Sequence, residues 1–246
     1  MIKLHPASIP LNQNIGQLLT RRAFRDPGLE AVYDAGSGKR LSYSELNASS
    51  NRTANTFRDL GLVKGDAVGL LLLNSVEYLE IFFAAAKTGL VVVPLNWRLV
   101  ADELQFILND AGVGLLVFSA EFSEVADELR RRDTTSITHW IEVDRNPSAL
   151  ITAHQDWTAS ASTAEPEVAA SGDDLLFIMY TSGTTGLPKG VMHSHNTVLW
   201  SLLTIAATSD FRYKDRFLNS LPMFHVGALT PAISCIFVGN TLVIMR

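Results

Sequence analysis

Residues 180–190 read YTSGTTGLPKG, a short segment that combines residue types suited to holding an anion. Its glycines let backbone amides approach phosphate oxygens closely, because no Cβ atom stands in the way. Successive amides can form a concave nest, to which hydroxyl side chains add donors and Lys189 adds a positive charge. The pattern therefore predicts a loop that binds phosphate groups. The other contributing residues would be Thr181, Ser182, Thr184 and Thr185 with their hydroxyls and the glycines Gly183, Gly186 and Gly190.

Two other interpretations fit this segment less well. A flexible linker would not normally lie between two apolar strands, carry Pro188 before Lys189, or lack acidic residues. The P-loop of nucleoside triphosphatases requires Gly-Lys followed by Ser or Thr at the start of a helix. Here Lys189 is followed by Gly190 and then by the strand-like sequence VMHSH. The sequence therefore predicts a phosphate-binding loop of a different kind.

Two further groups of residues have types that can carry chemistry. His193 and His195 alternate onto one face of a predicted strand, as metal ligands can, but no third ligand is evident nearby and polar packing is the alternative. The run Arg130-Arg131-Arg132 ends a predicted helix, where the helix dipole favours positive charge. Weak peripheral contact with an anionic membrane is the alternative for these arginines.

The elements that must position these residues alternate between strand-like and helix-like patterns. Continuous apolar runs at residues 67–73, 90–93 and 113–119 are separated by helical segments, which is typical of parallel strands covered on both faces. A further strand at residues 175–180 leads directly into the loop. The predicted fold class is therefore α/β, with mostly parallel sheets flanked by helices.

Local signals mark several helix ends. Ser42 and Glu45 fit a capping box, and Asn74 with Glu77 offers a second capping pair. Gly89 is a natural helix stop, and a later helix is expected at residues 230–238.

A connector rich in Ala, Ser, Thr and Glu divides the chain at residues 159–172 and reads as solvated. We therefore predict a first α/β subdomain with its connector at residues 1–172. The start of a second subdomain, which carries the loop, follows at residues 173–246.

Composition limits the function classes. The chain has 246 residues, of which 47% are hydrophobic and 18% charged, so it can bury a core. Its net charge of −5 lacks the broad basic field that nucleic-acid binding needs, and no nucleic-acid partner is expected. The single cysteine, Cys235, excludes an internal disulfide and fits a reducing compartment. No apolar run reaches the ~18 residues of a membrane span and no signal-peptide pattern is present, so a cytoplasmic location is expected.

The wider sequence resembles the adenylate-forming superfamily, also called the AMP-binding or ANL superfamily. FIMYTSGTTGLPKGVMHSH at residues 177–195 looks like its signature. LSYSEL at residues 41–46, AAAKTGLVVVPLNWRL at 84–99 and LPMFHVGAL at 221–229 resemble three further family segments, in the family's order. The resemblance covers essentially the whole chain and is strongest to fatty-acyl-CoA synthetases. It implies the first portion of the large N-terminal domain of those enzymes.

The resemblance also implies a reaction and its residues. Such ligases activate a carboxylic acid, here a fatty acid, with ATP to an acyl-adenylate, and then form the thioester with coenzyme A. Thr181 would contact Mg²⁺ through its hydroxyl, and His225 would act at the adenylate and the acyl carboxylate. The alternative for His225 is a buried histidine bonded to the backbone. The residues implied to hold the ATP phosphates are Thr181, Ser182, Gly183, Thr184, Thr185, Gly186 and Lys189.

The chain departs from the family pattern at its C-terminal end. The family's later residues for Mg²⁺, ribose and adenine, its hinge and its mobile C-terminal domain with a catalytic lysine have no counterpart before Arg246. We therefore expect a truncated chain that lacks the C-terminal half and completes neither half-reaction alone. A fatty-acyl-AMP ligase or an aryl-CoA ligase is an alternative, since both share the loop. A non-catalytic protein that binds nucleotide or acyl groups is the alternative from another class.

Overall fold

The computed structural model of the protein describes residues 13–143, 152–181 and 186–245. Its helices are α1 (Gly16–Arg25), α2 (Tyr43–Asp59), α3 (Val76–Thr88), α4 (Ala101–Asp110), α5 (Ser123–Arg132), α6 (His154–Thr158), α7 (His195–Thr208) and α8 (Val226–Val238). Its strands are β1 (Glu30–Asp34), β2 (Arg40–Ser42), β3 (Ala67–Leu71), β4 (Val91–Pro94), β5 (Val113–Ser119), β6 (His139–Val143), β7 (Thr152–Ala153), β8 (Leu175–Thr181), β9 (Lys189–Ser194), β10 (Arg216–Asn219) and β11 (Thr241–Ile244).

The strands form two sheets in which parallel pairing dominates. The seven-stranded sheet has the order β7-β6-β5-β3-β4-β8-β9, and its described strands pair in parallel except for β8 with β9. The four-stranded sheet has the order β10-β11-β1-β2, in which β11 runs parallel to both β10 and β1. The predicted α/β class, with mostly parallel sheets flanked by helices, is confirmed.

Two hydrophobic cores cover the faces of the seven-stranded sheet. Successive side chains of a strand point to opposite faces, and β3 accordingly sends Val68 and Leu70 into one core and Ala67 and Leu71 into the other. The larger core is centred on α3, every residue of which is buried. A helix without a polar side needs partners all round it, and α1 and α2 pack against α3. On the other face, α4 and α5 complete the second core.

The α2 and α3 helices begin at side-chain caps. The Ser42 hydroxyl accepts from the Glu45 amide at 3.3 Å, and the Glu45 carboxylate accepts from the Ser42 amide at 2.8 Å, which confirms the predicted capping box. At α3, however, the cap is Ser75, which accepts from the Tyr78 amide at 3.2 Å. The predicted cap at Asn74 is therefore wrong by one residue, and the Asn74 side chain is left to bond elsewhere.

Helix α8 begins at Val226, four residues before the predicted start at Thr230. Pro231 lies inside this helix, although proline is most frequent at the first helical position. The earlier start matters for the site, since it places His225 immediately before the helix.

The connector is fastened to the first part of the chain through a buried cation. Lys87 is fully buried, and its Nζ donates to the side-chain oxygens of Asn47 and Asn51 at 2.6 Å each and of Glu165 at 2.9 Å. Strands from both sides of residue 172 occur in each sheet. The subdomain boundary at that residue stays a prediction.

Candidate functional site

The predicted phosphate-binding loop connects two neighbouring strands of the seven-stranded sheet. β8 and β9 pair antiparallel, with Tyr180 opposite Gly190 and Thr181 opposite Lys189. This register closes the base of the loop and places Thr181 and Lys189 at its two ends, both exposed. The predicted phosphate ligands Ser182, Gly183, Thr184 and Thr185 lie outside the described residues.

Gly186 is needed for its backbone conformation rather than for space. Its φ angle of 105° lies in the left-handed region, which residues with a Cβ adopt at a cost. A Cβ atom built at Gly186 would meet no atom within 4 Å. The turn out of the loop therefore requires glycine because of the path of the chain.

A cavity of about 600 Å³ opens beside the loop. Its walls come from the end of β8, the loop, helix α4 and the start of α8, and they include Thr181, Gly186 and His225. The lining is mainly apolar, with contributions from Leu99 and Phe106. Small-molecule sites typically have volumes of roughly 300–1,000 Å³ and pair such apolar walls with a few polar groups. The arrangement fits an amphipathic ligand with a polar head at the loop.

A tyrosine at the base of the loop ties it to the opposite wall of the cavity. The Tyr180 hydroxyl donates to the Asp110 carboxylate at the end of α4 over 2.6 Å. Partial burial is the largest cause that raises the pKa of Tyr180 above its usual range, and the hydrogen bond to Asp110 and the negative charge of Asp110 add to it. The hydroxyl therefore keeps its proton and remains a donor. Helix α4 and the loop are thus joined directly at their ends.

His225 immediately precedes α8 and borders the cavity. It is exposed, which excludes the alternative of a buried histidine bonded to the backbone. Its ring centre lies 4.3 Å from that of Phe224, and Trp97 contacts Phe224 edge-on at 5.9 Å. Amides in the first turn of a helix lack intrahelical acceptors and carry the positive end of the helix dipole. The His225 ring and the Val226 amide at the start of α8 can therefore act as donors at the cavity.

The cavity wall does not include every predicted ligand. Lys189 lies at the start of β9, exposed and outside the cavity lining among the described residues. Thr181 and Gly186 border the cavity together with His225, although about 40 residues separate them in sequence. The structure thus brings together three of the predicted residues.

Mg²⁺ fits the oxygen donors near the loop. This ion prefers oxygen ligands and is usually bound through one or two carboxylates together with substrate phosphates and water. Thr181 borders the cavity together with Asp102 and Glu103 of α4. The described residues hold no group of three or more His, Cys, Asp or Glu side chains that could bind a metal. A magnesium ion here would therefore depend on phosphate oxygens as further ligands.

His193 and His195 pack as structural residues. His193 stacks on Phe177 with ring centres 4.4 Å apart, and burial lowers its pKa. His195 is fully buried as the first residue of α7, and its Nδ1 accepts from the Ile15 amide at 3.0 Å. The polar-packing alternative is therefore the one that the contacts support.

The arginine run at the end of α5 is paired with acidic side chains. Arg130 bonds Asp127 at 3.1 Å, and Arg132 bonds Asp102 of α4 at 2.6 Å. These partly exposed pairs support a solvated helix end. In the part of the chain that the structure describes, no helix combines the length and apolar character needed to cross a bilayer.

Sequence reasoning missed the residues that hold the walls of the cavity together. Trp97 follows β4 and Asn74 follows β3, both at carboxyl ends of parallel strands, where sites in α/β sheets gather. That position was a usable signal. Asp110 offered none, because its partner Tyr180 lies 70 residues further along the chain.

Comparisons with known proteins agree with this geometry. A family profile described as "AMP-binding enzyme" matches residues 19–246. The long-chain-fatty-acid–CoA ligase FadD13 of Mycobacterium tuberculosis is 44% identical over 95% of this chain and 45% of its own length. The fatty acid–[acyl-carrier-protein] ligase ScoC of Streptomyces coeruleorubidus is 35% identical over 96% of this chain and 44% of its own length.

A solved structure of a "Mycobacterium tuberculosis fatty acyl CoA synthetase" superposes with a TM-score of 0.88 at 42% identity. The match covers 95% of this chain and 45% of that one. The chain therefore spans less than half the length of these three relatives.

Proposed function

The chain belongs to the AMP-binding enzyme family, and on that basis we propose that it is the part of a fatty-acid–CoA ligase that binds the phosphates of ATP and orients the carboxylic acid. One observation carries the proposal. Thr181 and Gly186 of the loop border the same cavity as His225, although different sheets and helices deliver them. A phosphate-binding loop and a donor for the acyl carboxylate thus meet at a space of ligand size.

In the first half-reaction, the acid's carboxylate oxygen attacks the α-phosphorus of ATP, and the bond to pyrophosphate breaks. Little covalent chemistry is asked of the protein, because positioning and charge stabilisation carry most of the catalysis in phosphoryl-group chemistry. Thr181, Gly186 and Lys189 would hold the phosphates, with Ser182, Gly183, Thr184 and Thr185 completing the loop. His225 would donate a hydrogen bond to the carboxylate and to the acyl-adenylate that forms.

A bound Mg²⁺ would supply charge neutralisation at the phosphates, with the Thr181 hydroxyl as its protein ligand. The apolar walls at Leu99 and Phe106 would exclude water from the reacting groups. In that environment each charge-assisted hydrogen bond is worth about 1.5–3 kcal/mol. Several such bonds to one triphosphate are enough to bind it.

The acid substrate and the acceptor are inferred from the relatives of the chain. We propose a fatty acid as substrate and coenzyme A as acceptor, because a relative of that activity is 44% identical over most of this chain. A fatty-acyl-AMP ligase or an aryl-CoA ligase would use the same loop. A binding protein without turnover is the alternative from another class.

Binding of an acyl-adenylate analogue tests the proposal. We expect hexadecanoyl-sulfamoyl-adenosine to raise the Tm of the chain, and to raise it more than a benzoyl analogue does. A ligand at about 100 times its Kd stabilises by about 2.7 kcal/mol, which thermal unfolding detects readily. His225→Asn should lose most of the shift, whereas the control His139→Asn, at the far side of the seven-stranded sheet, should keep it. No Tm shift with any adenylate, either in this chain or in a version of full family length, would refute the proposed site.

The isolated chain should bind without turning over. We expect no ATP–pyrophosphate exchange with a panel of carboxylic acids, because the chain spans only 45% of the length of its ligase relative. Robust exchange by the chain alone would overturn this expectation.

A further inference from the structure

An asparagine that follows β3 of the seven-stranded sheet bonds the segment that carries His225. Asn74 follows β3, and its Nδ2 donates to the carbonyl oxygens of Leu221 at 2.8 Å and Met245 at 2.9 Å. Its Oδ1 accepts from the Met223 amide at 2.8 Å. Both donors and the acceptor of this nearly buried amide therefore bond to backbone of the four-stranded half of the molecule.

A buried tyrosine completes the hold on Met223. The Tyr78 hydroxyl, on α3, donates to the Met223 carbonyl at 3.1 Å. Tyr78 is fully buried, and that burial raises its pKa far above the usual range, so the hydroxyl stays protonated as a donor. The amide of Met223 is thus bonded to Asn74 and its carbonyl to Tyr78, two residues that lie close together in the sequence.

Side chains matter here because residues 221–225 belong to neither a strand nor a helix. Backbone groups outside regular structure must find partners elsewhere, and buried ones are rarely left without any. Met223 and Phe224 are buried, whereas His225 is exposed at the cavity. The His225 amide then donates to the Pro222 carbonyl at 3.0 Å, so the start of α8 is fixed relative to the held residues.

We propose that Asn74 and Tyr78 are positioning residues that fix the place of His225 at the cavity. The proposal rests on the role proposed for His225. Neither side chain lines the cavity among the described residues, so both act through the backbone of residues 221–223. α3 is buried along its whole length, which makes it a rigid support for that backbone.

Tyr78→Phe tests the proposal with a matched control. Tyr43 is also fully buried, and its hydroxyl donates to the carbonyls of Asn240 at 2.6 Å and Cys235 at 3.2 Å, away from the cavity. Tyr43→Phe removes an equally buried hydroxyl without touching residues 221–225. Both variants keep the ring, so both are expected to fold.

The first readout is the His225 ring signal in spectra of the chain labelled with ¹³C-histidine, assigned by its loss in His225→Asn. We expect this signal to shift or broaden in Tyr78→Phe and to stay in place in Tyr43→Phe. Asn74→Ala should move it further, with Asn14→Ala as the control, since Asn14 bonds the carbonyls of Ala86 and Ala170 instead. An unmoved signal in Tyr78→Phe, or equal movement in both tyrosine variants, would overturn the proposal.

The second readout is the affinity for hexadecanoyl-sulfamoyl-adenosine. Loss of one buried hydrogen bond corresponds to about threefold to tenfold. We expect a loss of this size in Tyr78→Phe and none in Tyr43→Phe, and equal losses would count against a positioning role. If neither the wild-type chain nor a version of full family length binds the analogue, the proposed function fails, while the His225 signal still decides whether Asn74 and Tyr78 position that residue.

Discussion

Replacing Gly190 with alanine would place a methyl group against the base of the phosphate loop. A Cβ atom there would lie 2.8 Å from Ile178 Cγ2 and 3.1 Å from Tyr180 Cζ, both closer than side-chain atoms normally approach. The Tyr180 ring cannot swing aside freely, because its hydroxyl is bonded to Asp110 at 2.6 Å. Relief therefore requires either loss of that bond or separation of β8 from β9.

The expected cost follows from overpacking, which typically destabilises a protein by about 1–3 kcal/mol. Gly114 in β5 provides the matched control, since a Cβ there meets no atom within 4 Å. Gly114→Ala should be neutral or stabilise by about 0.4–1 kcal/mol, because alanine restricts the unfolded chain. The two variants should then differ by roughly 1–4 kcal/mol in free energy of unfolding.

Urea unfolding of both alanine variants measures this difference, and a double-mutant cycle with Ile178→Ala locates its cause. Removing the Ile178 methyl groups should recover part of the cost of Gly190→Ala, which appears as a favourable coupling energy. Equal stability of the two alanine variants would refute the reasoning. So would a cycle without coupling, because the clash would then lie elsewhere.

Three further predictions concern single side chains. Lys189→Ala should weaken Mg·ATP binding about tenfold in calorimetry through the lost phosphate contact, and exposed Arg58 on α2 supplies the control Arg58→Ala. Unchanged pyrophosphate exchange at limiting ATP, in a version of full family length, would remove Lys189 from this role. Lys87→Met should lower the free energy of unfolding by about 3 kcal/mol, because breaking a buried ion pair leaves its acceptors without a donor. Half-exposed Glu165 can rehydrate only in part. A loss of stability near zero would contradict this prediction. Burial lowers the pKa of His195 to about 4, below the ~6.5 of an unfolded histidine. The contribution of the neutral ring to the free energy of unfolding is therefore complete above pH ~6.5, and it falls by about 1.4 kcal/mol per pH unit as the pH drops toward 4. His195→Asn should flatten this slope in urea unfolding measured between pH 7 and pH 5, and an unchanged slope would contradict the assignment.

Signals that act within a few residues were predictable from the sequence. The Ser42–Glu45 capping box and the Gly89 helix end both formed where predicted, because each depends on bonds within one helical turn. The buried strands β3 and β5 were equally readable, since parallel strands covered on both faces are continuous apolar runs. Together these local signals were enough to predict the fold class.

Contacts between distant segments were not predictable in the same way. β11 pairs with β1 across more than 200 residues, and Asn74 bonds Met245 across 171. Nothing in the local pattern around Asn74 distinguishes a residue that bonds distant backbone from one that caps the next helix, since the same side-chain groups serve both. Its true partners come into reach only when the two sheets are assembled.

This difference also explains why the two halves of the candidate site were unequally visible. The loop at residues 180–190 carries its own chemistry, because its glycines, hydroxyls and lysine lie in one short stretch. His225 is a lone histidine in an apolar segment, and its part in the site depends on being held beside that loop. The loop is delivered by β8 and β9 of the seven-stranded sheet, whereas His225 follows β10 of the four-stranded one. Asn74 spans the two, since it leaves β3 of the first sheet and bonds backbone next to β10 and β11 of the second. Substitutions at this junction should therefore affect adenylate binding more than equally destabilising ones within either sheet.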